Sequence, residues 1–77
     1  MPTINIEGYK FRFYSSDRVE PPHVHVLRGE NVAKLWLLSF QVEYNYGYNT
    51  AELNKIVRLA EENRERLLEA WYEHFGR

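Results

Sequence analysis

The sequence predicts an α+β fold in which an antiparallel sheet is followed by a C-terminal helix. Up to about residue 38 the chain consists of short runs of β-branched and aromatic residues separated by Gly-containing turns. From about residue 50 to residue 75 the apolar residues recur at helical spacing instead. The sequence has 77 residues with neither an internal repeat nor a linker, so we expect a single domain over residues 1–77.

The first predicted hairpin joins residues 3–6 to residues 9–14. Its turn is Glu7-Gly8, where Gly accommodates a positive φ angle. A two-residue turn places Ile6 opposite Tyr9, which gathers the apolar side chains of both strands on one face.

The second predicted hairpin joins residues 23–27 to residues 32–38. Gly29 takes the first central position of the intervening turn, as a type II′ turn requires. In that register Val26 pairs with Ala33, and the apolar side chains again share a face. We therefore expect a four-stranded sheet made of two hairpins, with the helix across its apolar face. The tyrosine-rich segment that precedes the helix is interpreted as a connection.

A capping box formed by Asn49 and Glu52 predicts the start of the helix. Its apolar stripe consists of Leu53, Ile56, Val57, Ala60, Leu67, Leu68, Trp71 and Phe75. The stripe is interrupted between residues 61 and 66, where Asn63 and Arg64 occupy the apolar line. A helix over residues 50–75 would be about 39 Å long, whereas the strands span only about 20 Å. Two alternatives follow: the helix breaks near Asn63, or its end projects and packs on a second copy.

Trp71 and Phe75 lie at the end of this helix and are the predicted interface residues. A short chain with an overlong helix has apolar area that its own sheet does not cover. We therefore expect a homodimer.

The segment Pro21-Pro22-His23-Val24-His25-Val26 is the most informative part of the chain. The two prolines favour an extended entry, and the valines favour a strand. Alternate side chains of a strand share a face, so His23 and His25 point away from the core to which the valines point. Imidazole is the usual general acid or base near neutral pH, which makes His23 and His25 the candidate catalytic residues.

Two other interpretations of the histidines stay open. A metal site would need a third ligand such as His74, and because an isolated His-x-His is a weak signal we predict neither a metal nor a cofactor. In the structural interpretation, His23 and His25 only form hydrogen bonds with the nearby loop.

Cationic and aromatic side chains share the outward face of the predicted sheet with the histidines. This composition is typical of surfaces that bind single-stranded RNA, where cations contact phosphates and rings stack on bases. The alternative is an ordinary solvated sheet face. The candidate nucleic-acid-binding residues are Lys10, Arg12, Tyr14, Lys34 and Trp36.

Composition excludes several classes of protein. The formal net charge is −1 at pH 7, so the chain as a whole is not a basic nucleic-acid binder. It has no cysteine, which excludes disulfides and thiolate zinc sites. No apolar run approaches the length of a membrane span, and the start at Met1-Pro2-Thr3 does not resemble a signal peptide. We expect a cytoplasmic protein without a membrane partner.

Several segments resemble the small bacterial domain-of-unknown-function family DUF4160. They are Met1-Pro2-Thr3-Ile4, Phe13-Tyr14, Pro21-Pro22-His23-Val24-His25-Val26, Ala33-Lys34-Leu35 and Glu62-Asn63-Arg64-Glu65-Arg66-Leu67-Leu68 before Trp71. Members are short, cytoplasmic and often encoded beside another small protein. The resemblance implies a component of a type II toxin–antitoxin-like module, but it supplies no catalytic residues.

Two functions are therefore expected from this sequence. The first is a binding module that pairs with itself, with a small protein encoded beside it, or with RNA. The second is a metal-independent ribonuclease-type toxin that uses His23 and His25. The sequence does not decide whether the protein is an enzyme.

Overall fold

A five-stranded antiparallel sheet precedes two helices in the computed structural model, which describes residues 3–14 and 19–76. The elements are β1 Thr3–Ile6, β2 Tyr9–Arg12, β3 His23–Arg28, β4 Asn31–Trp36, β5 Val42–Tyr46, α1 Thr50–Glu62 and α2 Arg64–Phe75. Each strand pairs with its neighbour in the chain, so the order in the sheet is β1-β2-β3-β4-β5. The predicted α+β class, antiparallel sheet and C-terminal helical region are confirmed.

The prediction of four strands is wrong, because the segment interpreted as a connection forms β5. This strand pairs with β4 through Val32–Tyr46, Ala33–Asn45 and Lys34–Tyr44. A register shift at Lys34/Leu35 interrupts the ladder near its far end. Strand β5 lies at the edge of the sheet, where neither face has to be covered by the core. It therefore lacks the apolar run that identifies a central strand in a sequence.

Both predicted hairpin registers are present in the structure. Ile6 lies opposite Tyr9, and the turn residues Glu7 and Gly8 have φ angles of 49° and 87°. Two successive positive φ angles are the mark of a type I′ turn, which matches the right-handed twist of the strands. In the second hairpin Val26 pairs with Ala33, and the same register places His25 opposite Lys34.

The core lies between the helices and one face of the sheet. Alternate residues of the strands form most of the part of the core that belongs to the sheet. The apolar stripe of α1 and α2 forms the part that belongs to the helices. The buried hydrophobic residues are Ile6, Tyr9, Phe11, Phe13, Val24, Val26, Ala33, Leu35, Leu37, Tyr48, Ile56, Leu59, Ala60, Leu67 and Trp71. The helices therefore leave the opposite face of the sheet to other side chains.

The helical segment is broken at Asn63. This is the first of the two alternatives that the sequence left open. Asn63 has φ −110° and ψ 20°, and its side-chain amide donates to the carbonyl oxygen of Leu59 at 2.9 Å. At the other end of α1, the side chain of Asn49 accepts a hydrogen bond from the backbone N–H of Glu52 at 2.8 Å. Beyond the break, α2 contributes the buried residues Leu67 and Trp71 to the core. Within the described ranges, no helix is long and apolar enough to cross a membrane.

Trp71 is covered by its own chain and not by a second copy. Its side chain is 1% exposed and packs edge-on against Phe13, with the ring centroids 5.6 Å apart. Phe75 packs on Trp71 at 4.2 Å and is half-buried. The ring of Trp71 is thus not available as the anchor of an interface, which removes the reason given for a homodimer. Self-association itself stays a prediction.

Candidate functional site

The two histidines lie where the sequence places them, on the face of the sheet opposite the valines of β3. His23 pairs with Trp36, and His25 pairs with Lys34 on one side and with Arg12 on the other. Both imidazoles are nevertheless buried, with exposed fractions of 0% for His23 and 9% for His25. The outward face is therefore covered locally by neighbouring rings, among them Trp71 of α2, which strand alternation alone does not predict.

His23 is held by hydrogen bonding and by two indole rings. Its Nδ1 lies 2.9 Å from the carbonyl oxygen of Pro21. A carbonyl oxygen only accepts, so Nδ1 carries the proton of this bond, and the double proline fixes the tautomer of the imidazole. Nε2 faces Glu20, with Oε1 at 3.6 Å. The ring centroids of Trp36 and Trp71 lie 5.4 Å and 5.2 Å away.

His25 lies within a group of aromatic rings. The ring of Tyr14 meets it edge-on at 4.7 Å, and the rings of His23 and Tyr44 lie at 5.3 Å and 6.5 Å. These rings cover the imidazole, so a reactant has little surface through which to contact it.

Lys34 and Trp36 are engaged by carboxylates of this chain. Nζ of Lys34 lies 2.8 Å from Oε1 of Glu20 and 4.8 Å from the ring centroid of Trp36. The indole N–H of Trp36 donates to Oε1 of Glu43 at 3.1 Å. A phosphate would have to displace the carboxylate of Glu20 to reach Lys34. These two candidate nucleic-acid-binding residues therefore present less positive charge and less ring surface than the sequence suggests.

Among the candidate nucleic-acid-binding residues, Lys10 and Arg12 are the cations that remain open to a ligand. Together with Leu27 they line a groove of about 190 Å³ at the end of the sheet that carries the two hairpin turns. Nε of Arg12 donates to Oγ1 of Thr3 at 3.0 Å. Neither Lys10 nor Arg12 forms an ion pair with a carboxylate of the described residues.

Arg28 also lines the groove, but its guanidinium interacts with residues on the other face of the sheet. Its guanidinium lies 5.0 Å from the ring centroid of Tyr9 and 4.0 Å from Oε1 of Glu52. Arg28 thus connects the second hairpin to α1, and the positive charge of the groove comes from Lys10 and Arg12.

The structure offers no cluster for a metal within the described residues. No group of three or more His, Asp or Glu side chains there is arranged to hold an ion. His74, the third ligand considered from sequence, is exposed in the last turn of α2 and packs against Phe75 at 4.5 Å.

A family model described as a domain of unknown function, DUF4160, matches residues 8–72. The chain belongs to the DUF4160 family. The matched range includes β2, both histidines, Lys10, Arg12 and Trp71. Neither the curated proteins nor the solved structures give a match to the chain.

Three residues of the site in this DUF4160 chain were missed from the sequence. Glu20 lies in the loop before β3, and no sequence pattern connects it to Lys34. Tyr44 and Tyr46 were missed because their segment was interpreted as a connection. The alternation of Val42, Tyr44 and Tyr46 was a usable strand signal, since these residue types favour strands.

Proposed function

We propose that this chain is a binding module of a type II toxin–antitoxin-like system and holds nucleic acid on the outward face of its sheet. The observation that carries the proposal is the groove at Lys10 and Arg12, two cations without a carboxylate partner in the described residues. The toxin–antitoxin-like setting extends the family resemblance, since members are often encoded beside another small protein.

The spacing of the two cations suits a ligand with successive phosphates. The two cations of the groove lie on the same strand two residues apart. Cations in such a position contact successive phosphates and release counterions, so binding should weaken as salt rises. The formal net charge of −1 does not prevent this, because Lys10 and Arg12 form no ion pair with a carboxylate of the described residues.

Burial of the histidines favours binding over catalysis. A general base must come within hydrogen-bonding distance of the proton that it removes. His23 has no exposed surface, and its Nδ1 donates to Pro21. The ribonuclease alternative therefore requires this packing to open before His23 can meet a substrate.

The test is a salt titration of RNA binding by the wild type and by the double variant Lys10→Gln/Arg12→Gln. We expect weaker binding by the variant at low salt. The slope of log affinity against log salt should flatten by about 0.7 for each phosphate of a single strand that the variant no longer neutralises.

A matched control removes the same charge from the helices. Arg58 and Arg66 are exposed on α1 and α2, so Arg58→Gln/Arg66→Gln changes the net charge equally. We expect this control to bind RNA with the wild-type slope. Equal weakening in both double variants would mean that net charge alone is responsible, and absence of binding by the wild type at low salt would contradict the proposal.

We further propose that the module pairs with a protein, either a second copy or a small protein encoded beside it. Apolar side chains are exposed at Leu38 and Val42, which are 56% and 37% exposed. Sedimentation of the pure protein, alone and with the neighbouring protein, distinguishes the two. A monomer under both conditions would contradict this part of the proposal.

A further inference from the structure

The strand registers arrange the outward face in two rows that cross the sheet. We call the row nearer the two turns the turn-end row, and it consists of Lys10, Leu27, Val32 and Tyr46, which are paired in succession across β2, β3, β4 and β5. The adjacent row consists of Arg12, His25, Lys34 and Tyr44. Because consecutive strands are about 4.8 Å apart, Lys10 and Tyr46 are separated by about 14 Å along the turn-end row.

The turn-end row has a cation at one end, an aromatic ring at the other and aliphatic side chains between them. Tyr46 is 65% exposed, and Leu27 and Val32 are half-buried. The ring of Tyr46 lies 5.1 Å from the ring of Tyr44, which supports its orientation over the sheet. An exposed ring beside aliphatic side chains is an apolar platform for a flat ligand.

The rings that the sequence singled out are less suited to stacking. Tyr14 packs edge-on against His25 at 4.7 Å. The ammonium of Lys34 lies over the ring of Trp36, and His23 packs against the same indole at 5.4 Å. Tyr46 is the aromatic side chain of this face with the largest exposed fraction in the described part of the chain.

We propose that a single-stranded nucleic acid crosses the sheet along the turn-end row, with a base stacked on Tyr46 and phosphates at Lys10 and Arg12. This inference rests on the proposed function and specifies its ligand. Exposed aromatics on a small sheet stack bases in RNA-binding modules, with cations along the backbone path. The separation of about 14 Å along the row gives room for more than one nucleotide between the ring and the cations.

The same arrangement discriminates against a duplex. Bases within a duplex are stacked on each other, and only a splayed or single-stranded base offers a free face to a protein ring. The cations contact phosphates of either form, so a duplex keeps the electrostatic part of the binding and loses the stacking part.

The experiment measures fluorescence anisotropy of a labelled RNA of about ten nucleotides, as a single strand and annealed to its complement. Tyr46→Ser removes the ring, and Tyr46→Phe keeps it. The matched control is Tyr72→Ser, which removes an exposed tyrosine of α2. We expect Tyr46→Ser to weaken single-strand binding by about tenfold, with an unchanged salt slope, since stacking releases no counterions. Tyr46→Phe and Tyr72→Ser should bind like the wild type.

The outcomes separate this inference from the proposed function. If Lys10→Gln/Arg12→Gln weakens binding but Tyr46→Ser does not, the stacking site is wrong while the proposed function holds. Equal affinity of the wild type for single-stranded and duplex RNA would also show that the stacking site is wrong, while the proposed function holds. If the face instead holds a protein, the wild type binds neither RNA at low salt, and both proposals fall. Because Tyr46 is exposed, we expect Tyr46→Ser to leave the midpoint of urea unfolding unchanged. This measurement verifies that the variant retains the fold.

Discussion

Trp71 on α2 lies against His23 at the start of β3, with their ring centroids 5.2 Å apart. The two residues are 48 positions apart in the chain, so the contact joins segments that are distant in sequence. The contact joins the Pro-Pro-His-Val-His segment to the C-terminal helix. It makes His23 part of the packed interior, although strand alternation places it on the outward face.

Replacing Trp71 by Ala should unfold the protein or come close to it. The indole is 1% exposed and contacts Phe13, His23 and Phe75. Truncation of a buried Trp costs about 3–5 kcal/mol, a large part of the stability of so small a domain. The measurement is urea unfolding followed by circular dichroism. Tyr72→Ala on the exposed side of the same helix is the control, and it should change stability by less than about 0.5 kcal/mol. Equal effects of the two substitutions would show that Trp71 is not a core residue in solution.

His23→Gln should lower the free energy of unfolding by about 1–3 kcal/mol, because it removes the bond to Pro21 and the packing against both indoles. Gln keeps a polar side chain of similar reach but does not transfer protons near neutral pH. Any RNA-binding or growth phenotype should then follow stability. Urea unfolding and RNA cleavage are measured on the same preparations. A double His23→Gln/His25→Gln variant that is as stable as the wild type yet loses RNA cleavage would instead favour the ribonuclease.

The stability of the protein should fall as the pH rises above about 10. Burial, followed by the charges of Tyr9 and Glu52, raises the pKa of Tyr48 to about 12 from its ordinary 10.0. A raised pKa means that the folded state holds the proton more tightly than the unfolded state. The stability that protonated Tyr48 contributes is therefore complete below its pKa in the unfolded state. That stability is lost as the pH rises through its pKa in the folded state. Urea unfolding across this range measures the effect.

Tyr48→Phe is the control for that pH dependence. The hydroxyl of Tyr48 donates its one proton to the carbonyl oxygen of Val26 at 3.0 Å, and the carbonyl oxygen of Asn31 lies 3.4 Å from the same hydroxyl. Removing it should cost about 1 kcal/mol or more at neutral pH. The variant should also lose less stability than the wild type above pH 10. An identical alkaline decline in both proteins would assign the effect to other groups.

Gly47→Ala should destabilise the fold more than Gly29→Ala. Gly47 has a φ of 104°, and a Cβ there would collide with the side chain of Asn31. Gly29 has a φ of 61°, and a Cβ at that position meets no atom of the described residues within 4 Å. The left-handed conformation alone costs about 1–2 kcal/mol at Gly29, and the collision adds to the cost at Gly47. Thermal and urea unfolding of both variants test the order, and a larger destabilisation at Gly29 would contradict it.

The pairing of both hairpins follows from residue patterns along the chain. The apolar alternation of β2, β3 and β4 permits one register, because a shift by one residue would turn each valine of β3 toward solvent. The start of α1 was equally clear, since Asn49 and Glu52 form a local hydrogen bond that requires no distant partner. These features depend on neighbours in the chain or on strict periodicity.

Contacts between distant segments determine which side chains of the outward face are buried and which stay exposed. Strand β5 pairs with β4 at the edge of the sheet, and its alternating Val and Tyr residues indicate a strand without indicating its partner. Burial of His23 depends on Trp71, and the neutralisation of Lys34 depends on Glu20. The alternation of residues along a strand indicates the face on which a side chain lies. It does not indicate which residues from other segments contact that side chain. The difference between Lys10, open to a ligand, and Lys34, held by a carboxylate, therefore arises only when distant segments meet.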